Sequence, residues 1–335
     1  MTIKKLIYLF LALSLVFFAA CSEDSATEPQ DDPVDEFALV AAVGDVYYTE
    51  YTTTSGGLNI TMDMLFENLT DGDTSDDPFI IDWRAQEDYD ARHIKGAVNM
   101  SLGDLVSKVN DGTIPDDKTI VNVCYSGQTA SIATAVLNLL GYDAQNLKFG
   151  MCYVTDDTEI VPKSDKWTGQ TAEDEYTLVK NGPGEPTVAG LSFPDPNTGE
   201  ETAVDIIKAA FPNVLAGWNI ASSTVTADPD AYHILNYWGE ADYSGIGHIE
   251  NAYQYTPNVS LKSDELLDTL PTDKPIVVYC WTGQTSAQVT TYLRILGYDA
   301  YSMLYGVNGC SYTALPEGKP AYHAPDPSDK YVSVL

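Results

Sequence analysis

The chain has 335 residues, enough for two domains of ordinary size, each with its own core. It is 44% hydrophobic and carries 49 acidic against 17 basic residues, a formal net charge of -32. Only three of the bases are arginines, Arg84, Arg92 and Arg294, so nucleic acid, which is held by clustered Lys and Arg, is excluded as a partner; the acidity reads as a soluble, self-repelling surface.

Residues 1–20 read as a leader. Lys4 and Lys5 form a basic start, and Leu6 to Ala20 is an apolar run too short for a usual membrane span. The run ends "FAAC", with small Ala19 and Ala20 before Cys21. This order resembles a bacterial lipoprotein signal, which implies lipidation of Cys21 and a lipid-anchored protein of the cell envelope, outer-membrane and periplasmic or surface-facing. Ordinary cleavage near Ala20, leaving Cys21 unmodified, is the alternative. Residues 21–36, "CSEDSATEPQDDPVDE", are acidic and nearly free of apolar side chains, as expected of a flexible tether.

Two long stretches then repeat. "PFIIDWRAQEDYDARHIKGAVN" from Pro78 corresponds to "AYHILNYWGEADYSGIGHIENAY" from Ala231. "DDKTIVNVCYSGQTASIATAVLNLLGYDAQNLKFG" from Asp116 corresponds to "TDKPIVVYCWTGQTSAQVTTYLRILGYDAYSMLYG" from Thr272. The shift is 154 at Asp82/Asn236, 155 at His93/His248 and 156 at Cys124/Cys280. A period this long marks duplicated domains, expected over residues 37–155 and 200–325 with a linker at 156–199 and a tail at 326–335. "FIID" and "TIVNV" are short Ile/Val-rich runs, as in strands buried on both faces. "GQTASIATAVLNLLG" has helical apolar spacing and Gly141 as its stop; "YDAQNLKF" reads as the next strand. Strands alternating with helices predict α/β domains, each a mainly parallel sheet flanked by helices. "DGDTSDD" (Asp71–Asp77) lacks the ligand spacing and closing Glu of a calcium loop, and no metal or cofactor is expected.

A cysteine at a strand end, followed by a short loop with Gly127 and a helix start, is placed to hold an anion on backbone N–H groups. Such a setting is expected to lower the thiol pKa and make the thiolate a nucleophile. The candidate loop residues are Cys124, Tyr125, Ser126, Gly127, Gln128 and Thr129, and again Cys280, Trp281, Thr282, Gly283, Gln284 and Thr285, with Ser126 and Thr129 adding hydroxyls. A cysteine phosphatase loop would end in Arg; these end in Thr, so that chemistry is rejected.

With "DWR" (Asp82, Arg84), "RHIKGAVN" (Arg92–Asn99) and "CYSGQT" in order, the sequence resembles the rhodanese-type sulfurtransferases with two tandem domains. The resemblance implies a sulfane sulfur carried as a cysteine persulfide from a small donor of the thiosulfate or mercaptopyruvate type to a thiol or cyanide acceptor. The uncharged loop is closer to the mercaptopyruvate type. Asp82 and Arg84 would brace the loop, or Arg84 would instead face the donor, and His93 would cap or pack. In the second copy D-x-R becomes Asn236-Tyr237-Trp238 and Asn251 replaces a glycine, so Cys124 ranks before Cys280. The fold implied by the family would place Cys152 near Cys124 and Cys310 near Cys280. Each pair could form a disulfide, regulatory or structural, in an oxidising compartment. The alternatives are free thiols, or a non-catalytic or thiol-redox binding module.

Overall fold

The computed structural model describes residues 34–50, 58–167, 175–313, 315–322 and 330–335. The expected leader, Cys21 and nearly all of the tether lie outside the described residues.

Both halves use one order of elements, except that among the described residues the second has no α-helix between its third and fourth strands. The first runs α1 (Glu36–Glu50), β1 (Asn59–Ile60), α2 (Met62–Thr70), β2 (Phe79–Asp82), α3 (Gln86–Ala91), β3 (Val98–Asn99), α4 (Leu105–Asn110), β4 (Ile120–Val123), α5 (Gln128–Leu139) and β5 (Ala144–Leu147). The second runs α6 (Ala203–Leu215), β6 (Asn219–Ile220), α7 (Ser222–Ala227), β7 (His233–Asn236), α8 (Glu240–Ile246), β8 (Tyr253–Gln254), β9 (Ile276–Tyr279), α9 (Gln284–Ile295) and β10 (Ala300–Met303). Each half builds a five-stranded parallel sheet, ordered β1-β5-β4-β2-β3 and β6-β10-β9-β7-β8. The predicted strands and helix form where the residue pattern put them. All four residues of β4 and of β9 are buried, as central parallel strands covered on both faces must be. Gly141 takes φ +83° just past α5, the left-handed stop expected of a helix C-terminus.

Two features position the site. The register sets Asp82 beside Val123, so the D-x-R corner abuts the strand end that delivers Cys124. In the second half Asn236 sits beside Tyr279 in the same way. Second, α5 and α9 pack on each other, and one apolar cluster runs from Ile81 and Val136 of the first half to Val278 and Leu293 of the second. The halves therefore share a core and bring their cysteine corners to a common seam.

The first and last described segments exchange sides. Helix α1 stacks Phe37 on Phe193 at 4.2 Å, and its Glu36 carboxylate accepts from Thr198 N at 2.9 Å and Gly199 N at 2.6 Å. At the other end Tyr331, 1% exposed, enters the outer core of the first half, and Lys95 N donates to Val334 O at 2.7 Å. Tyr176 and Val179 do the equivalent on the second half, where Val179 and His248 exchange backbone bonds of 2.9 and 2.8 Å. Each half's trailing segment thus packs on the other half.

Candidate active site

Cys124 follows β4 directly, and α5 starts four residues later. Gly127 has φ +81°, a conformation that glycine adopts without strain and that turns the loop back over the sulfur. Gly127 N lies 3.1 Å and Ala130 N 3.3 Å from Cys124 Sγ, so two backbone donors converge on it. Cys280 has the same surroundings in reduced form: Ser286 N at 3.3 Å, and the Ser286 hydroxyl at 3.7 Å. Both cysteines are buried, at 2% and 3% exposure.

The expected lowering of the Cys124 pKa is corrected. Burial pushes the thiol up, and the backbone donors of Ala130, Ser126, Gly127 and Thr129 offset only part of that. An anion is well held once formed, but the dry surroundings oppose forming it.

One further expectation is corrected. Gln128 and Gln284 do not line the cradles. Each crosses the seam. Gln284 Oε1 accepts from Phe149 N and from Asn146 Nδ2, both at 3.0 Å, and Gln128 Oε1 accepts from Tyr305 N at 2.8 Å. Their amides donate to Ser126 Oγ at 3.2 Å and Thr282 Oγ1 at 3.1 Å respectively, so those hydroxyls serve the glutamines. Of the two states open for the cysteine pairs, disulfide or free thiol, the structure holds the second: Cys124, Cys152, Cys280 and Cys310 are free, buried thiols. Cys152 packs among Phe149, Trp167 and Tyr322, and Cys310 in the cluster of Trp238 and Tyr279, so their neighbours are apolar. Burial pushes both thiols up to about 12.

The Asp82–Arg84 pair forms. Arg84 Nε donates to both Asp82 carboxylate oxygens at 3.1 Å, and Nη2 donates to Oδ2 at 2.8 Å and to Arg92 O at 2.6 Å. The guanidinium carbon lies 5.9 Å from the centre of the Tyr125 ring, which places this pair behind the loop. The second half replaces the pair with other contacts. Asn236 Nδ2 donates to Tyr279 OH at 2.6 Å, and Trp238 stacks on Trp281 at 3.9 Å and 7°. His93 stacks on Tyr89 at 3.8 Å, and His248 on Tyr243 at 3.9 Å, both as packing residues.

The motif reading missed the lysines. Lys163 pairs with Asp88 at 2.6 Å and lies 5.6 Å from the Tyr125 ring centre; Lys166 lies 3.8 Å from it. Burial raises the Asp88 pKa, but the Lys163 ammonium and the Tyr125 hydroxyl outweigh it and hold the carboxyl below its ordinary value. In the second half Lys319 pairs with Asp242 and lies 5.5 Å from the Trp281 ring centre. Lys163 and Lys319 stand at the same spacing of 156 as the two cysteines, and that shared shift was the signal that could have found them.

The family described as "Rhodanese-like domain" matches residues 62–153 and 228–311, more than half of the chain. The chain belongs to the rhodanese-like domain family. Both rhodanese-like domains contain one cysteine corner, and each matched span closes on the second cysteine or just past it. Solved structures similar to the chain include a rhodanese-like domain protein from Staphylococcus aureus, with 23% identity, a TM-score of 0.24, and coverage of 28% of this chain and 86% of that one. Another is a thiosulfate sulfurtransferase from Pseudomonas aeruginosa, with 13% identity, a TM-score of 0.29, and coverage of 87% of this chain and 49% of that one. No match is found among curated proteins. No helix among the described residues is long and apolar enough to cross a membrane.

Proposed function

We propose that this rhodanese-family protein transfers a sulfane sulfur through a persulfide on Cys124. The carrying observation is the pair of backbone N–H groups, 3.1 and 3.3 Å from the sulfur, at a loop whose backing ion pair is complete. The Cys124 thiolate attacks the outer sulfur of a donor of the thiosulfate or mercaptopyruvate type. The donor's own bond to that sulfur breaks, its electron pair leaves with sulfite or with the enolate of pyruvate, which takes up the proton of the mercaptopyruvate thiol, and Cys124–S–S⁻ remains. A thiolate or cyanide acceptor then takes the outer sulfur and returns the Cys124 thiolate. Fixed backbone dipoles that need no reorientation are suited to this anion. Cys280, with one backbone donor and no Arg84 counterpart, ranks second.

The basic, apolar and small-residue order of residues 1–21 supports placement at the cell envelope through a lipid on Cys21.

The test is intact mass after incubating reduced protein with thiosulfate or mercaptopyruvate. Wild type should gain one sulfur and Cys124→Ser should lose most of that gain; no gain with either donor sinks the reading. A thiol-redox role has one supporting observation: Cys152 N donates to Tyr125 O at 2.9 Å, which sets the second cysteine's backbone against the loop. The same spectrum before reduction would then show a loss of two hydrogens.

A further inference from the structure

The two cysteine corners differ behind the sulfur. Where the first has Ala130 and Asn146, the second has Ser286 and Ser302 at the shift of 156. Asn146 is committed to the seam, its Nδ2 donating to Asn59 Oδ1 at 2.8 Å and to Gln284 Oε1 at 3.0 Å. Ser286 and Ser302 are fully buried, and their hydroxyl oxygens lie 2.9 Å apart. The Ser286 hydroxyl is also 3.7 Å from Cys280 Sγ, and the Ser302 hydroxyl is 3.4 Å from Gly283 O. A buried hydroxyl residue in a helix commonly bonds the carbonyl four residues back, as Ser131 does to Gly127 O and Thr291 to Ala287 O, both at 2.8 Å. Ser286 turns to the sulfur and to Ser302 instead.

Donor counting fixes the direction of this chain. Each hydroxyl has one proton, and a carbonyl only accepts. Ser302 therefore donates to Gly283 O, Ser286 donates to Ser302, and the Ser286 oxygen accepts from the Cys280 thiol. All three protons point away from the sulfur, an order that suits the neutral thiol alone. Once the thiolate forms, one rotation of the Ser286 hydroxyl aims its proton at the sulfur with no heavy atom moved. The Ser302 proton can follow, because Gly283 O keeps a partner in Ala287 N at 3.2 Å.

We propose that Ser286 is a catalytic residue of the Cys280 site, its hydroxyl turning to donate to the sulfur anion; the catalytic part rests on the sulfur-transfer reading above. It supplies the second donor that Cys124 finds in Gly127 N. Both half-reactions pass through the thiolate. In the first the thiolate attacks the donor. In the second the acceptor takes the outer sulfur, and the electron pair of the S–S bond returns to Cys280 Sγ. Ser286 stays neutral and gives up no proton. It acts by a hydrogen bond to an ionised partner, which is stronger than one to a neutral thiol.

The experiment follows iodoacetamide alkylation at Cys280 and Cys124 separately, by peptide mass, from pH 6 to 11 in reduced full-length wild type and Ser286→Ala. The variant removes one oxygen and installs the residue that the first domain carries at this place. Tyr237, the titratable group beside Cys280, is kept protonated over this range by burial. The rate at pH 7 divided by the rate at pH 11 cancels differences in access to a buried thiol. At Cys280 this ratio should fall about tenfold in Ser286→Ala, the scale of one hydrogen bond to a charged group. At Cys124 it should stay as in wild type. A merely structural serine would change both rates together, through packing or access, and leave the ratio alone. An unchanged ratio at Cys280, or an equal fall at Cys124, overturns the proposal. Residual charging by thiosulfate is then read by intact mass in Cys124→Ser with and without Ser286→Ala. A fallen ratio with no charging of Cys280 removes sulfur transfer there and leaves Ser286 as the donor to the thiolate. Equal charging with an unchanged ratio does the reverse.

Discussion

At the scale of the residue, Cys124 is governed by a contest between burial and backbone donors. Burial wins, so its thiol titrates above the ordinary value of 9.0. At neutral pH the thiolate is a minor species, and each unit of rising pH multiplies it about tenfold until the pKa is reached. Alkylation of Cys124 by iodoacetamide is therefore expected to rise about tenfold per unit between pH 7 and 9, with its half-maximum above 9; a plateau by pH 7 would contradict this. The sign for stability is the companion result. A thiol whose folded pKa exceeds its unfolded value of about 8.5 favours the folded state while protonated, and that contribution is lost as pH climbs through the folded pKa. Arg84 presents the opposite case, a buried charge already matched by Asp82. Arg84→Met leaves the carboxylate buried and uncompensated, and is expected to cost about 3–5 kcal/mol in a urea titration, more than removing any surface pair such as Lys108–Asp111.

At the scale of the element, the strand–loop–helix corner carries the site. The loop closes on Gly127, where an added Cβ would lie 2.4 Å from Gln284 Oε1 and 3.0 Å from Phe149 N, and where φ is +81°. Gly127→Ala is expected to destabilise the protein by about 1–3 kcal/mol and to slow Cys124 chemistry, read by thermal melting beside thiol alkylation. Gly283→Ala should match it in stability, since its Cβ would lie 2.4 Å from Gln128 Oε1 and 2.7 Å from Tyr305 N. This corner was legible in sequence because it is local: apolar run, cysteine, glycine, helical spacing, all within about twenty residues. The Asp82–Arg84 brace was legible for the same reason, the partners being two residues apart. The destination of Gln128 was not, because a polar residue in a cysteine loop has the same local pattern whether it faces an anion or another domain. Lys163 and Lys166 lie in a stretch that reads as linker; only the fold returns it to the loop. The role of Tyr331 was hidden likewise, since a short tail has no periodicity to announce its docking.

At the scale of the whole molecule, the two domains are fastened where their chemistry sits. Gln128 and Gln284 reach from the cysteine loops into each other's domain, and the Trp167–Tyr322 stack at 5.5 Å packs edge-on against Phe149 and Tyr305 of the two halves. The clasp is nearly symmetric in outline and asymmetric in accounting. Gln284 Oε1 satisfies two buried donors, Phe149 N and Asn146 Nδ2, whereas Gln128 Oε1 satisfies Tyr305 N alone. A buried donor left without its acceptor costs about 1–3 kcal/mol. Gln284→Ala should therefore destabilise more than Gln128→Ala, although the two residues occupy the same place in the repeat. Because Phe149 and Asn146 belong to the first domain, the larger loss falls on the domain that holds Cys124 rather than on the domain that was mutated. Hydrogen exchange resolves this directly. In Gln284→Ala the amide of Phe149 should lose protection, while in Gln128→Ala it is Tyr305 that should lose it. Equal costs for the two variants, or loss of protection confined to the mutated domain, would mean that the seam is held by its apolar core alone and that the glutamines merely fill it.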